Sequence, residues 1–245
     1  MKFNSRQILI GVAVVVVIAA AAIYWVVSRQ NNVSLDATAT AQTTSTATSS
    51  TTAAAQQASS GAPTAAATSD LMQAGPLGDM ALGDPKAPNV MIEYASMTCT
   101  HCQRFHTEVY PKLKSQYIDT GKVYFIFRDF PLDSLARAAI IIAHCAPKER
   151  FFPLVDLMFN QQNNWAFVAD PKTALMNLVK QAGIGSDQFN ACSSNQSILD
   201  GVTAVQDRAK NMFGVGATPT FFINGVKVEG EQPLPDIEKR LIGIS

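Results

Sequence analysis

Two cysteines three residues apart, Cys99 and Cys102, constrain the fold of this chain most strongly, because of the pattern in which they occur. The preceding segment, Asn89–Ala95 (NVMIEYA), is typical of a β-strand, and residues 99–120 carry the pattern of a helix. A second strand is predicted over 123–130. Strand, helix and strand in close succession indicate a βαβ unit, so the helix begins at the carboxyl end of the first strand. Proteins with α/β folds commonly place their chemistry at that edge.

The rest of the chain is mainly helical in pattern until two short strands close it. Helices are predicted over 134–145, 148–160, 171–182, 186–192 and 196–213. Strands are predicted over 220–223 and 226–228, joined by an Asn-Gly pair suited to a type I′ turn, and a last helix over 234–242. The order βαβ, helices, ββα predicts an α/β thioredoxin fold with a helical insertion at about 132–197.

The N-terminal residues 1–29 are predicted to form a transmembrane anchor. The run 8–27 contains twenty residues without a charge, enough for a helix to cross about 30 Å of hydrocarbon. Lys2 and Arg6 precede it, which favours an N-terminus in the cytoplasm and a domain outside. A cleaved signal peptide is the alternative because residues 19–22 are small alanines, but the apolar run is longer than the usual 7 to 15 residues.

Residues 30–70 are predicted to be a low-complexity linker, since they are nearly all Ala, Thr, Ser and Gln and lack the large apolar residues that offset chain entropy. Residues 71–245 have the composition of one globular domain. The whole chain has 19 basic and 19 acidic residues, and no basic stripe that could neutralise phosphates is present. Nucleic-acid binding is therefore excluded, and the partners are expected to be proteins or small thiols.

The position of Cys99 at a helix start predicts thiol redox chemistry. Free N–H groups of the first turn and the helix dipole stabilise a thiolate there, and Cys102 can then resolve a mixed disulfide. His101, between them, is expected to stabilise the thiolate further. A zinc site is the competing interpretation, but Cys145 and Cys192 stand singly and offer no second close pair. A redox-active disulfide with no metal and no separate cofactor is predicted.

Three segments, LGDPKAPNVMI, EYASMTCTHCQRFH and GATPTFFINGV, resemble in this order the DsbA family of periplasmic disulfide oxidoreductases, over residues 77–245. The resemblance implies that Cys99 is the nucleophile and that Glu93 is a carboxylate beneath the disulfide that takes up or relays a proton. It implies a cis bond before Pro219, which with Thr218 forms the substrate-binding site facing the cysteines. It also implies reoxidation by a membrane quinone oxidoreductase of the DsbB type.

The expected function is donation of the Cys99–Cys102 disulfide to newly exported, cysteine-containing proteins. Two residues depart from the best-known members: Thr100 replaces a proline, and a threonine such as Thr218 before the cis proline is more familiar in disulfide isomerases. A disulfide isomerase or reductase kept reduced by a membrane electron donor is therefore an alternative. A non-catalytic metal-binding module that uses the thiols as ligands is another.

Cys145 and Cys192 are predicted to form a structural disulfide, because four cysteines on an oxidising face leave two to be paired. Two buried free thiols are the alternative. The remaining histidines, His106 and His144, are assigned structural roles. The expected location is the inner (cytoplasmic) membrane, single-pass, with the catalytic domain in the periplasm, or the periplasm itself if the signal is cleaved.

Overall fold

A central sheet positions the site in this computed structural model, which describes residues 65–244. Within that part of the chain, the strands are β1 (Met80–Leu82), β2 (Asn89–Ala95), β3 (Val123–Asp129), β4 (Thr220–Ile223) and β5 (Val226–Glu229). They form one sheet in the order β1-β3-β2-β4-β5. The β2–β3 pair is parallel and the other neighbours are antiparallel. The predicted succession of a βαβ unit and a later antiparallel strand pair is therefore present.

Strand β2 lies at the centre, and its alternating side chains enter two separate apolar cores. Met91 and Ala95 belong to the larger core, whereas Ile92 and Tyr94 belong to a smaller one on the opposite face. Because successive strand residues point to opposite faces, Glu93 points into the larger core. Coverage on both faces explains why this strand reads as a nearly continuous apolar run.

Helices cover the sheet and form the insertion between β3 and β4. Their bounds are α1 (Ala65–Met72), α2 (Thr100–Arg104), α3 (Tyr110–Leu113), α4 (Ser134–Cys145), α5 (Phe151–Asn160), α6 (Gln162–Trp165), α7 (Pro171–Gln181), α8 (Ser186–Ser193), α9 (Gln196–Phe213) and α10 (Leu234–Glu238). A 3₁₀ turn, Lys148–Arg150, precedes α5. The helical insertion and the predicted bounds of α4 and α9 are confirmed.

The helix predicted over 99–120 is interrupted by two π-helical turns, Phe105–Val109 and Lys114–Ile118. Pro111 lies two residues after the end of the first turn, as the second residue of α3. Proline lacks an N–H donor and its ring clashes with the carbonyl four residues earlier, so a wider turn accommodates it. The π turn also places His106, which is important for the site.

Two elements and two boundaries differ from the sequence prediction. Strand β1 and helix α6 were not predicted, because neither is long enough to show a period. Helix α1 begins inside the predicted linker 30–70, where the buried Leu71 packs in the smaller core and Arg208 donates to the backbone oxygen of Gln73. The last helix ends at Glu238 instead of 242, and beyond its end the Asn224 side chain donates to the carbonyl of Arg240.

Cys145, at the end of α4, and Cys192, in α8, form a disulfide with Cα atoms 5.7 Å apart. The predicted pairing is thus present in the structure, and the alternative of two free thiols is not. The bond joins two helices of the insertion, and both cysteines of the CTHC motif are free thiols.

The predicted anchor 1–29 and linker residues 30–64 lie outside the described residues. Among residues 65–244, no helix combines the length and the apolar character needed to cross a membrane.

Candidate active site

The two thiols of the CTHC motif differ in position and environment. Cys99 is the N-cap of α2, and its sulfur accepts a hydrogen bond from the backbone N–H of Cys102 at 3.4 Å. The Cys99 residue is 8% exposed, whereas Cys102 is completely buried. An incoming thiol can therefore reach only the first sulfur.

Cys99 and Cys102 also differ in the direction in which their surroundings shift the pKa. The surroundings of Cys99 lower its pKa to about 5. The largest cause is the hydrogen bond that the Cys102 thiol donates to it, and burial acts in the opposite direction. The Thr218 side chain and the backbone N–H groups of Cys102 and His101 lower this pKa further. Burial, the hydrogen bond to Cys99 and the charge of Glu93 raise the pKa of Cys102 well above its ordinary value. One thiol is therefore a thiolate at neutral pH and the other stays protonated.

Thr218 and Pro219, the predicted substrate residues, lie beside the first sulfur. The thiol of Cys99 donates to the carbonyl oxygen of Thr218 at 3.2 Å, and the Thr218–Pro219 bond is cis, as expected. The Thr218 hydroxyl is buried and has no partner in this thiol form. It is therefore available as a donor once the sulfur carries a charge.

His101 is positioned differently from the expectation that its ring would act on the sulfur. The imidazole is largely exposed and its Nδ1 atom lies 2.7 Å from Arg104 and 3.4 Å from Glu231. Arg104 also donates to Glu231 at 2.8 Å. Because these charged neighbours hold the ring, the contribution of His101 to Cys99 comes from its backbone N–H.

A groove runs along this cluster to the cis proline loop. It is lined by His101, Arg104, Glu231 and Thr218, together with Val109 and Pro233. Both apolar and charged groups thus face a channel that ends next to the reactive sulfur.

Glu93 is completely buried in β2 and pairs with His106, for which the sequence predicts only a structural role. The Nε2 atom of His106 lies 2.9 Å from the Glu93 carboxylate, and both side chains are at most 1% exposed. An unpaired carboxylate would be costly in this core, so the ring offsets its burial. The position of His106, four residues after Cys102 in the same helical stretch, is the signal that could have identified it.

Gln162 is a second residue that the sequence analysis missed. It is fully buried in α6, and its amide nitrogen donates to the carbonyls of Met97 at 2.9 Å and Cys99 at 3.1 Å. These bonds fix the backbone that leads into the CTHC motif. No local pattern marks this role, because it depends on the packing of the insertion against the motif.

The arrangement is suited to thiol–disulfide exchange, since it combines an accessible stabilised thiolate with a buried thiol three residues later. Within residues 65–244, no cluster of three or more His, Cys, Asp or Glu side chains could hold a metal ion.

Comparison with known proteins agrees with this chemistry. A family model described as thioredoxin matches residues 76–241. A putative protein-disulfide oxidoreductase of Rickettsia conorii is 33% identical over 153 residues, which are 61% of this chain and 54% of that protein. A probable disulfide bond formation protein D of Bacillus cereus is 28% identical over 151 residues, 59% of this chain and 69% of that protein. The chain thus spans about half the length of the rickettsial relatives it matches.

Solved structures show the same likeness over the whole domain. Wolbachia pipientis alpha-DsbA1 is 36% identical with a TM-score of 0.62, covering 70% of this chain and 97% of that one. A structure titled protein-disulfide isomerase from Novosphingobium aromaticivorans is 25% identical with a TM-score of 0.61, covering 69% of this chain and 96% of that one. The DsbA-like resemblance inferred from the motifs is confirmed.

Proposed function

The chain belongs to the thioredoxin family, and from that premise we propose that it is a thiol:disulfide oxidoreductase that donates its Cys99–Cys102 disulfide to exported proteins. A client thiolate attacks the sulfur of Cys99, the Cys99–Cys102 bond breaks, and Cys102 leaves and takes up one proton. A second client thiolate then attacks the client sulfur of the mixed disulfide and releases Cys99 as a thiolate. The client is oxidised by two electrons and the enzyme is reduced by two.

The observation that carries this proposal is the asymmetry of the two thiols, since Cys99 is the N-cap of α2 and is partly accessible, whereas Cys102 is completely buried. The same surroundings lower the pKa of Cys99 to about 5. At pH 7 such a thiolate is favoured over the thiol by about 3 kcal/mol, which corresponds to about 60 mV in a two-electron couple. The gain stabilises the reduced enzyme relative to the disulfide. A protein that is stable when reduced gives its disulfide away, so the predicted direction is oxidation of the client.

The groove beside the cis proline supports recognition of an extended segment. The backbone at Thr218 lies next to the reactive sulfur, where a client strand can pair with it while exchange proceeds. Arg104 and Glu231 border the groove with charges of both signs, and Val109 and Pro233 add apolar surface. A lining of this mixed character suits many unfolded sequences, as a general oxidant requires.

We place the domain in the periplasm, held at the inner membrane by residues 1–29 and reoxidised by a DsbB-type quinone oxidoreductase. The uncharged run 8–27 and the Cys145–Cys192 disulfide, a bond typical of oxidising compartments, support this location. The mass of the protein purified from membranes tests it. An intact N-terminus is expected for an anchor, and loss of the first twenty or so residues would indicate a cleaved signal.

Single cysteine variants test the exchange chemistry. Cys99→Ser is expected to abolish oxidation of a reduced client, because no accessible sulfur remains. Cys102→Ser is expected to accumulate mixed disulfides with clients, visible on non-reducing gels, because the resolving thiol is missing. Equal residual activity in both variants would contradict the assignment of the two roles.

A disulfide isomerase or reductase is the second candidate, favoured by Thr218 before the cis proline and by the solved relative titled a protein-disulfide isomerase. The redox state of Cys99 and Cys102, trapped by acid directly from cells, distinguishes the two. An oxidase is mainly in the disulfide form, and an isomerase or reductase is mainly in the dithiol form.

A further inference from the structure

A cavity of about 280 Å³ lies on the face of the sheet opposite to the cysteines of the CTHC motif. Its polar lining consists of four side chains from α9, from the ends of β2 and β3, and from the segment after α1: Arg208, Tyr94, Arg128 and Gln73. Tyr94 belongs to the smaller core, whereas both cysteines belong to the larger one. This arginine cavity shares no lining residue with the client groove.

Arg128 is the buried arginine of the cavity, and an acid neutralises it. Its side chain is 4% exposed and donates to both carboxylate oxygens of Asp79, at 3.0 Å each. It also donates to the backbone oxygen of Gln73 at 3.2 Å and to the hydroxyl oxygen of Tyr94 at 3.1 Å. A guanidinium group has five N–H donors, so one donor of Arg128 remains unused.

Arg208 carries a charge that no acid within residues 65–244 neutralises. It donates to the backbone oxygens of Asp70 and Gln73 and to the side-chain oxygen of Gln73, all of which are uncharged. These bonds satisfy carbonyl groups at the end of α1, which gives the side chain a structural role there. They use three of its five donors and leave its positive charge uncompensated.

The polar groups of the arginine cavity have free donors and occupied acceptors. The Tyr94 oxygen accepts from Arg128, and because this is the only hydrogen bond that the described residues make with the hydroxyl, its own O–H is unused. Burial raises the pKa of Tyr94, so the hydroxyl keeps its proton at neutral pH. Both oxygens of Gln73 already accept from the arginines. A negatively charged ligand that only accepts hydrogen bonds therefore complements this lining.

Charge and volume narrow the class of ligand. Asp79 compensates Arg128, so the lining has one uncompensated positive charge, which matches a single carboxylate better than a divalent phosphate. The flat guanidinium group presents its donors in the geometry that a carboxylate accepts. A volume of about 280 Å³ lies at the lower end of the range for ligand pockets, so the bound group is small.

We propose that the arginine cavity binds a carboxylate group, with Arg208 supplying the charge and with Tyr94 and Arg128 supplying hydrogen bonds. Two sources of that group fit the volume, a small organic acid and the C-terminal carboxylate of a polypeptide. The inference concerns the opposite face of the sheet from the cysteines, so it does not depend on the proposed exchange function.

Isothermal titration calorimetry of the full-length protein at low salt measures this binding, since salt screens the attraction between charges. Succinate is the probe for a free acid, and succinamide, which has the same carbon skeleton without charge, is its control. N-acetyl-trialanine is the probe for a polypeptide terminus, and its C-terminal amide is the control. Saturable binding of at least one carboxylate, without binding of its uncharged counterpart, is expected. The carboxylate that binds more tightly identifies the source.

Three variants locate the site. Arg208→Gln removes the charge and is expected to weaken binding at least about tenfold. Tyr94→Phe removes one donor, keeps the ring in the smaller core, and is expected to weaken binding about fivefold. Arg240→Gln is the control for net charge, since Arg240 also donates to a helix carbonyl, that of Asp236 at 2.7 Å, and does not line the cavity. It should bind like the wild type.

Thermal unfolding shows which variants are folded, and Tyr94→Phe decides the test if Arg208→Gln does not fold. Absence of saturable binding of both carboxylates to the wild type would overturn the site. Equal affinities of Tyr94→Phe, Arg208→Gln and Arg240→Gln would overturn it as well, and so would equal binding of succinate and succinamide. Thiol exchange by Cys99 is measured separately in the same preparations, so a failure there would count against the proposed function and not against the arginine cavity.

Discussion

The thiol of Cys99 lies 3.2 Å from the carbonyl oxygen of Thr218, a residue 119 positions later in the chain. This contact joins the start of the active-site helix to the loop that precedes β4. It places the residue expected to touch the client against the sulfur that reacts with it. Changes at Thr218 should therefore affect redox chemistry more than folding.

Thr218→Val is expected to raise the pKa of Cys99 by about 1, because a hydroxyl that can donate to the thiolate is replaced by a methyl group. Stability should change little, since the hydroxyl has no partner in the thiol form. The measurement is the thiolate absorbance as a function of pH. Thr220→Val is the control, because that hydroxyl donates to the Ala217 carbonyl at 2.8 Å. It should lower the unfolding free energy by about 1 kcal/mol and leave the pKa of Cys99 unchanged.

The reduction potential should fall by only about 30 mV per pH unit around neutrality. With the pKa of Cys99 at about 5 and that of Cys102 well above its usual value, reduction takes up one proton in this window instead of two. The lowered pKa stabilises the reduced protein above pH 5, and this stabilisation is lost as the pH falls through 5. Equilibration with glutathione at several pH values measures the slope. A slope near 60 mV per pH unit would show that Cys99 is a thiol at pH 7.

Removal of the second disulfide should affect stability and not exchange. The double variant Cys145→Ser, Cys192→Ser is expected to unfold with a free energy up to about 4 kcal/mol lower, since the bond closes a loop between residues 47 apart. Denaturant unfolding measures this loss, and the redox assay should be unchanged below the transition. A large change in the reduction potential would show that this bond also supports the active site.

Gln162→Leu should slow exchange because two carbonyls at the start of the motif lose their donor. Gln206→Leu is the matched control, since Gln206 is also buried and donates at 2.7 Å to the Pro131 carbonyl, which is not part of the CTHC motif. Both variants are expected to lose about 1 kcal/mol of stability. Only Gln162→Leu should also slow the reaction of Cys99 with dithiobis(nitrobenzoate), measured as the rate at which thionitrobenzoate is released. Equal rates in the two variants would count against a positioning role for Gln162.

Local patterns were sufficient to predict the elements that carry their own signal. Strand β2 reads as a buried run, and α9 shows a helical period over its whole length, so the predicted bounds of both agree with the structure. Strand β1 has three residues and exists because Met80–Leu82 pairs with β3, far along the chain. A segment of three residues is too short to show the alternating pattern of a strand, so the sequence does not predict this pairing.

The residues of the candidate site fall into the same two groups, those that a local motif predicts and those whose role depends on distant contacts. The cysteines and the Thr218–Pro219 bond follow from motifs, whereas the ring of His101 is held by Glu231, 130 positions later. His106 was assigned a structural role because its partner Glu93 lies on a different element, and only the fold brings the two together. Sequence patterns predict residue types at a site, but not the contacts that decide how each one acts.

The equilibrium reduction potential of the full-length protein decides whether it donates its disulfide or reduces other proteins. The lowered pKa of Cys99, about 5, lies between the values of about 7 for thioredoxin and about 3.5 for DsbA, whose potentials are about −270 and −120 mV. We expect a potential between about −230 and −120 mV at pH 7, as a donor of disulfides requires. A value at or below about −270 mV would contradict it, because such a protein would act as a reductant.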